Sequence, residues 1–187
     1  MRESAESGMA RRLRENGVPL GELFSFMSGL YFRGKLAYAR AFADAPADSN
    51  GVLVITASGG LVPPDTPITL NQLRELSSGS VDPADARYRA PLDRDTRALS
   101  EEAGADCEIV LLGSIATPKY VDPLLNILGS RLLFPAEFVG RGDMSRGGLM
   151  LRCVQSGEQL KYVPLLEAKR HGRKPPKLEP LGYKALS

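Results

Sequence analysis

The chain has one histidine, His171, and two cysteines, Cys107 and Cys153. A single histidine, set in a basic tail, leaves no Ser/His/Asp arrangement to assemble. Neither cysteine has the Cys/His spacing of a metal site. Both cysteines are isolated within apolar segments and read as buried free thiols rather than as a disulfide. Long apolar runs are also missing, so no segment is long enough to span a bilayer. The opening residues 1–7 lack the apolar core of an export signal. The expectation is therefore a cytoplasmic chain without a membrane partner and without a cofactor. A strong charge imbalance is absent too. The net charge is +2, so overall electrostatics do not announce a nucleic-acid binder. No internal repeat is visible.

What the chain does have is alternation. Val52-Leu53-Val54-Ile55-Thr56-Ala57 and the segments 108–112, 131–134 and 160–164 read as strands. The run at 52–57 is continuously apolar, the pattern of a central strand covered on both faces. Segment 30–43 carries Phe32, Leu36, Ala39 and Ala43 at helical spacing. Further helices are expected at 69–76, 92–103, 119–128 and 149–156, with a polar loop over 77–91 and a proline-stiffened, irregular loop over 58–67. For 149–165, a β-hairpin turning at Ser156-Gly157 is the alternative. The alternation predicts an α/β fold, a three-layer sandwich with a mainly parallel central sheet and helices on both faces. Its parts are a flexible or helical N-terminal arm at 1–18, a single α/β domain at 19–167 and a basic, proline-containing tail at 168–187.

Chemistry concentrates in the stretch 134–148. Gly140-Arg141-Gly142-Asp143-Met144-Ser145-Arg146-Gly147-Gly148 holds four glycines, two arginines and an aspartate. Glycines between a strand and a helix let main-chain N–H groups approach a ligand. The helix N-terminus favours negative charge, and guanidiniums suit phosphate or carboxylate. The plainer reading is a loop in which Asp143 or Ser145 caps the following helix. In a parallel sheet, loops at the carboxyl ends of strands share an edge. That rule gathers Ser58, Gly59, Gly60 and Asp65, Ser114 and Lys119, with the 141–146 loop, around one cleft. Arg33 and Lys35, in the first turns of the 30–43 helix, are either further anion contacts or solvated cations. The run at 169–177 holds five cations and two adjacent prolines, so it should be extended. Docked on the core, such a tail would point to a structural role.

Several short motifs resemble a known group. Tyr31-Phe32-Arg33-x-Lys35-x-x-Tyr38-Ala39-x-x-Phe42, Gly60-Leu61-Val62-Pro63-Pro64-Asp65 and Tyr120-Val121-Asp122 are similar to those of small bacterial and phage domains of unknown function with a "GL(V/L)xPD" loop. The same loop distantly resembles one in the uracil-DNA-glycosylase-like core domain of archaeosine synthase. The resemblance spans roughly residues 25–165. It implies action on a nucleobase, nucleotide or nucleic acid, by base modification or N-glycosidic chemistry on tRNA or DNA. The chain departs from that group at Met27-Ser28-Gly29-Leu30-Tyr31, where the synthase has a Pro-Cys-x-x-Lys-Pro-Tyr segment. It also lacks the glycosylase water-activating motif and His-Pro-Ser loop.

Three functions remain open on these grounds. In the first, the chain is an enzyme with Asp143 or Asp65 as its carboxylate, and with Arg141, Arg146, Ser58, Gly59, Gly60, Ser114, Lys119, Arg33 and Lys35 binding substrate or phosphate. In the second, it is a non-catalytic module that binds nucleotide or nucleic acid through Arg141, Arg146 and the 169–177 run. In the third, it is a protein-interaction scaffold. Fold alone does not choose among them.

Overall fold

The computed structural model describes residues 2–47 and 49–178; the end of the expected tail, 179–187, lies outside the described residues. Helices dominate. Helix α1 spans Arg2–Glu15, and α2 spans Leu20–Phe42. Within α2, Gly29 has φ 67° and ψ −146°, a conformation that L side chains rarely adopt. The helix is therefore two helical pieces joined at a kink, and the expected 30–43 helix is the second of them. After β2 to β4, described below, come α3 (Leu70–Ser78), α4 (Ala86–Glu102), α5 (Pro118–Leu128) and α6 (Asp143–Ser156). Thr69 and Gln72 close a reciprocal capping box at the start of α3. Asp85 caps α4 through the Arg87 N–H.

The three-layer sandwich with a parallel central sheet is not the fold. Strands are two to four residues long and form three small sheets. Strand β1 (Val18–Pro19) pairs antiparallel with β4 (Pro67–Ile68). Strand β2 (Val54–Ile55) pairs antiparallel with β3 (Leu61–Val62), as a hairpin. Only β5 (Ile109–Val110) and β6 (Leu132–Pro135) run parallel, and β7 (Tyr162–Pro164) closes that sheet antiparallel to β6. The apolar run at 52–57 misled the sequence reading because a continuous run is equally compatible with a hairpin arm. Its partner, Leu61–Val62, lies in the stretch expected to be irregular. Pro63 and Pro64 lie between the two short strands β3 and β4, and Pro67 is the first residue of β4.

Two boundaries also move. Helix α4 starts at Ala86, not near residue 92, because Asp85 provides a cap ahead of Pro91. Helix α6 starts at Asp143, six residues before the expected 149, and so absorbs much of the glycine-rich stretch. The hairpin alternative for 149–165 is not adopted.

Two hydrophobic clusters hold these elements. The larger joins Tyr38, Leu92, Phe134, Phe138 and Met150, all nearly inaccessible to solvent. Tyr38 anchors it polarly as well: its hydroxyl accepts from the Leu160 N–H at 2.8 Å and lies 2.5 Å from the Tyr162 hydroxyl. The smaller cluster packs Leu13 of α1 against Val18, Leu20, Leu23 and Ile68. The N-terminal helix is thereby tied to the fold.

Candidate functional site

The glycine-rich stretch is positioned by a close crossing of α2 and α6. A Cβ on Gly34 would stand 2.7 Å from the Gly147 carbonyl oxygen, and one on Gly147 would stand 2.9 Å from the Leu30 carbonyl oxygen. Real Cβ atoms do not approach backbone that closely, so only glycine fits on both sides. The crossing brings Tyr31 and Lys35 of α2 against Asp143 and Arg146 of α6.

Four groups meet there. The Lys35 ammonium lies 4.0 Å from the centre of the Tyr31 ring, a cation–π geometry. Burial pushes the lysine down to about 8; Asp143 opposes this shift and Arg146 adds to it. Tyr31 donates its hydroxyl to the Leu112 carbonyl at 3.2 Å, at the carboxyl end of β5. Burial raises the pKa of its hydroxyl, and the Arg146 guanidinium pulls the other way. Arg146 is largely buried, at 12 % side-chain exposure, and donates from Nε to the Phe138 carbonyl at 3.2 Å. Its guanidinium also lies 5.4 Å from the Phe138 ring centre. Asp143 is the counterweight but a loose one: its carboxylate is 3.9 Å from Arg146 and 68 % exposed.

Neither Asp143 nor Ser145 caps α6. The N-cap residue is Gly142, and it makes no side-chain cap bond. Arg141 instead ties the loop together, donating to the Glu137 carbonyl (3.1 Å), the Ser145 hydroxyl (3.2 Å) and the Pro176 carbonyl (3.4 Å).

The last of these bonds reaches the tail. Residues 168–178 beyond the final short 3-10 turn are without helix or strand, as two prolines and clustered cations lead one to expect. They nevertheless return across the glycine-rich loop. Gly140, at φ 74°, backs onto the main chain of Gly172 and Arg173 so closely that a side chain would not fit. Leu178 reaches the surface of α6 beside Gly148. Between loop and tail lies a cavity of about 430 Å³, lined by Arg141, Asp143, Met144 and Ser145 on one side and by Lys174, Pro176 and Lys177 on the other.

The remaining sequence candidates lie elsewhere. Asp65 is 77 % exposed and pairs with Arg40 at 2.5 Å. Ser58, Gly59 and Gly60 form the β2–β3 turn. Ser58 donates to the Glu75 carbonyl at 3.3 Å, and the Gly59 N–H donates to Thr56 Oγ1 at 2.9 Å. Gly60 lies against Asp95, which accepts the Leu61 N–H at 3.0 Å. The Ser114 hydroxyl accepts from the Ala116 N–H at 3.4 Å in a local turn. Lys119 is exposed, and its carbonyl receives the Tyr88 hydroxyl at 2.9 Å. Arg33 is exposed on α2. These contacts join Lys35, Arg146 and Asp143 in one cluster, and Arg141 and Asp143 in one cavity. Sequence reasoning missed Tyr31 as a member of this site, although its i, i+4 spacing from Lys35 on a helix was the available signal. Met144 and Pro176 carried no signal of their own.

The chain has no significant match among protein-family models, curated proteins or solved structures. Among the described residues no helix is long and apolar enough to cross a membrane, and no cluster of His, Cys, Asp or Glu suits a metal ion. Cys153 is buried and Cys107 half-buried; both are free thiols.

Proposed function

We propose that this chain is a binding module for the phosphates of a nucleic acid, which it receives between the N-terminus of α6 and the basic tail. The observation that carries the reading is the cavity itself. Its rim holds Arg141, Lys174 and Lys177, against one carboxylate, Asp143. The first turn of α6 opens onto the same space, and its free N–H groups favour an anion there. The docked tail has a structural part, its main chain packed on Gly140, but Lys174 and Lys177 stay exposed on the cavity. A cation-bearing segment laid beside a helix N-terminus suits a polymer that carries a charge at regular intervals.

Binding without catalysis fits the carboxylates best. Asp143 is exposed and accompanied by cations, and Asp65 is engaged with Arg40. Among the described residues each is paired with an arginine, and neither with a second carboxylate or a histidine. The resemblance to nucleobase-acting domains supports the nucleic-acid class but supplies no reaction.

Fluorescence anisotropy with short single-stranded DNA and RNA tests the reading. The double substitution Lys174→Ala/Lys177→Ala should weaken binding about tenfold or more at low salt and lower the steepness of its salt dependence by about two phosphate contacts. An unchanged affinity and salt slope would remove the cavity from the site.

A further inference from the structure

We infer that Lys35 and Arg146 form a receiving site for a terminal phosphate, the dianionic end of a strand, at the inner margin of the proposed nucleic-acid cleft. This rests on the cleft being a nucleic-acid site, and it names which part of the strand that site reads. The geometry is a pair of cations brought onto facing helices by the Gly34–Gly147 crossing. Lys35 is half-buried, and among the described residues its ammonium has the Tyr31 ring, not a carboxylate, as its close partner. Arg146 has one face on the Phe138 ring and one N–H on a main-chain carbonyl. The charged groups that face Lys35 are Asp143 and Arg146 of α6, with the Tyr31 hydroxyl on its own helix.

Such an arrangement is under-neutralised. Two cations held near each other in partly buried surroundings raise each other's energy. Asp143, mostly in water and 3.9 Å from Arg146, offsets only part of that. A further anion lodged between them would relieve the repulsion and hold Lys35 protonated. A terminal phosphate carries close to two negative charges near neutrality, whereas a phosphodiester inside a strand carries one. Two cations match the terminal group. The pair lies behind the outer cavity rather than in its lining; Asp143, which lines the cavity and is 3.9 Å from Arg146, is the residue that connects the two.

The site makes binding depend on pH in a stated direction. Lys35 loses its proton near pH 8 in the free protein, so the preference for a phosphorylated end should fade as pH rises beyond that point. Bound phosphate should move the titration upwards, because it favours the charged amine.

The test uses the full chain and two probes. With inorganic phosphate, the Lys35 side-chain resonance is followed by NMR against pH; its midpoint, near 8 without anion, should rise with phosphate present. With one DNA sequence carrying either a 5′-phosphate or a 5′-hydroxyl, the phosphorylated strand should bind about tenfold more tightly. That ratio should fall to about one in Lys35→Gln, which keeps most of the buried stem. Equal binding of the two strands by the unaltered protein would overturn the inference while leaving the cleft itself intact. A Lys35 midpoint unmoved by phosphate would overturn it as well, whether or not DNA binds. Failure of both strands to bind, with the midpoint still rising, would instead count against the nucleic-acid reading and support an anion site for smaller phosphates.

Discussion

The turn at 56–60 and the stretch at 139–148, a loop that runs into the first turns of α6, both lie downstream of a strand, and both contain a Gly-Gly pair. They use their polar groups in opposite ways. In the turn, Thr56 bonds to Gly59 and Gly60, Ser58 to Glu75, and Asp95 receives the Leu61 N–H. Its glycines serve close packing against α3 and α4, and its hydrogen bonds point inward. In the loop, the N-cap is a glycine without a side-chain bond, Asp143 stays in water, and two arginines and a lysine gather beside it. The first pattern stabilises a hairpin. The second leaves a helix N-terminus and its cations available. Glycine content alone does not tell such loops apart; the side chains that neighbouring elements contribute do.

The largest expected effect sharpens the use of paired glycines within the loop itself. Gly147→Ala puts a Cβ 2.9 Å from the Leu30 carbonyl and 3.0 Å from the Tyr31 Cα. Backbone must move, and urea denaturation should show a loss of about 3 kcal/mol, the upper part of the range for overpacking. Gly148→Ala, one residue on, meets only Leu178 at 3.6 Å, an ordinary contact. Replacing glycine by alanine inside a helix gains up to about 1 kcal/mol, so this variant should be neutral or stabilised. Equal losses at both positions would mean that the α2–α6 crossing does not depend on glycine.

Next comes the closed turn. Asp95→Ala deprives the half-buried Leu61 N–H of its acceptor and should cost about 1–3 kcal/mol. Binding of DNA or RNA by the folded protein should not change. Arg141→Ala makes the contrast. It loses three hydrogen bonds to groups near the surface and should cost about 1 kcal/mol, yet weaken nucleic-acid binding about tenfold or more. If Asp95→Ala impaired binding as much as Arg141→Ala, the division between a structural turn and a functional loop would collapse.

Much of this division could be read in the sequence, and part could not. The helices were legible where local chemistry marks their ends: Gly129 and Gly157 stop α5 and α6, and Thr69 begins α3. Strands β5, β6 and β7 were legible because each falls within or beside a segment expected as a strand, although β5 keeps only two residues of 108–112. The sheet order was not, because pairing direction depends on tertiary approach and leaves no trace in an apolar run. Strands β1, β3 and β4 are two residues long, too short to show a period. At the site, the cationic glycine-rich stretch was visible, since its residue types are unusual together. The return of the tail onto Gly140 was not, because proline-rich, basic sequence describes a free and a docked segment alike. Likewise, nothing in the order of residues foretold that Asp65 would pair with Arg40 or that Asp95 would serve the hairpin turn.

The pH dependence of stability separates the open loop from the closed turn in another way. Lys35 has a folded-state value near 8, below its ordinary value of 10.5, so its charge is disfavoured by folding. Below pH 8 it is protonated in both states and its destabilising effect is fully present. Between about 8 and 10.5 the unfolded chain holds more protons, and this contribution to stability rises with pH. Lys35→Met should therefore unfold at higher urea than the unaltered protein at pH 7, by about 1–2 kcal/mol after allowance for partial exposure. The gap should narrow as pH climbs from 8 towards 10. Above 10, Tyr31 and Tyr38, both raised by burial, begin to favour the unfolded state, so the comparison belongs below that point. A gap that stayed constant from pH 7 to 10 would show that Lys35 folds without electrostatic penalty.

The smallest effect is expected at Asp65, the aspartate that a parallel sheet would bring to the same cleft. Its pair with Arg40 joins two well-exposed side chains, at 77 % and 49 % exposure. Water screens such a pair, and ordering two mobile side chains offsets part of the attraction, so exposed pairs contribute about 0–1 kcal/mol. Asp65→Asn should leave the urea midpoint nearly unchanged at low salt and still closer to it at high salt. Nucleic-acid affinity should not move, because the residue pairs with Arg40 of α2 and does not line the cavity. Asp143→Asn should behave differently despite a similar exposure. It removes a negative charge from the rim of the cavity and from beside Arg146. Affinity for a phosphate-bearing strand should therefore rise, by about two- to fivefold at low ionic strength, and the gain should shrink as salt screens it. A catalytic carboxylate would give the opposite signature, with turnover lost and binding retained. Anisotropy on the two variants at two salt concentrations decides between these outcomes: a rise for Asp143→Asn alone marks the loop as the site, and equal behaviour of the two aspartates denies Asp143 any special place in it.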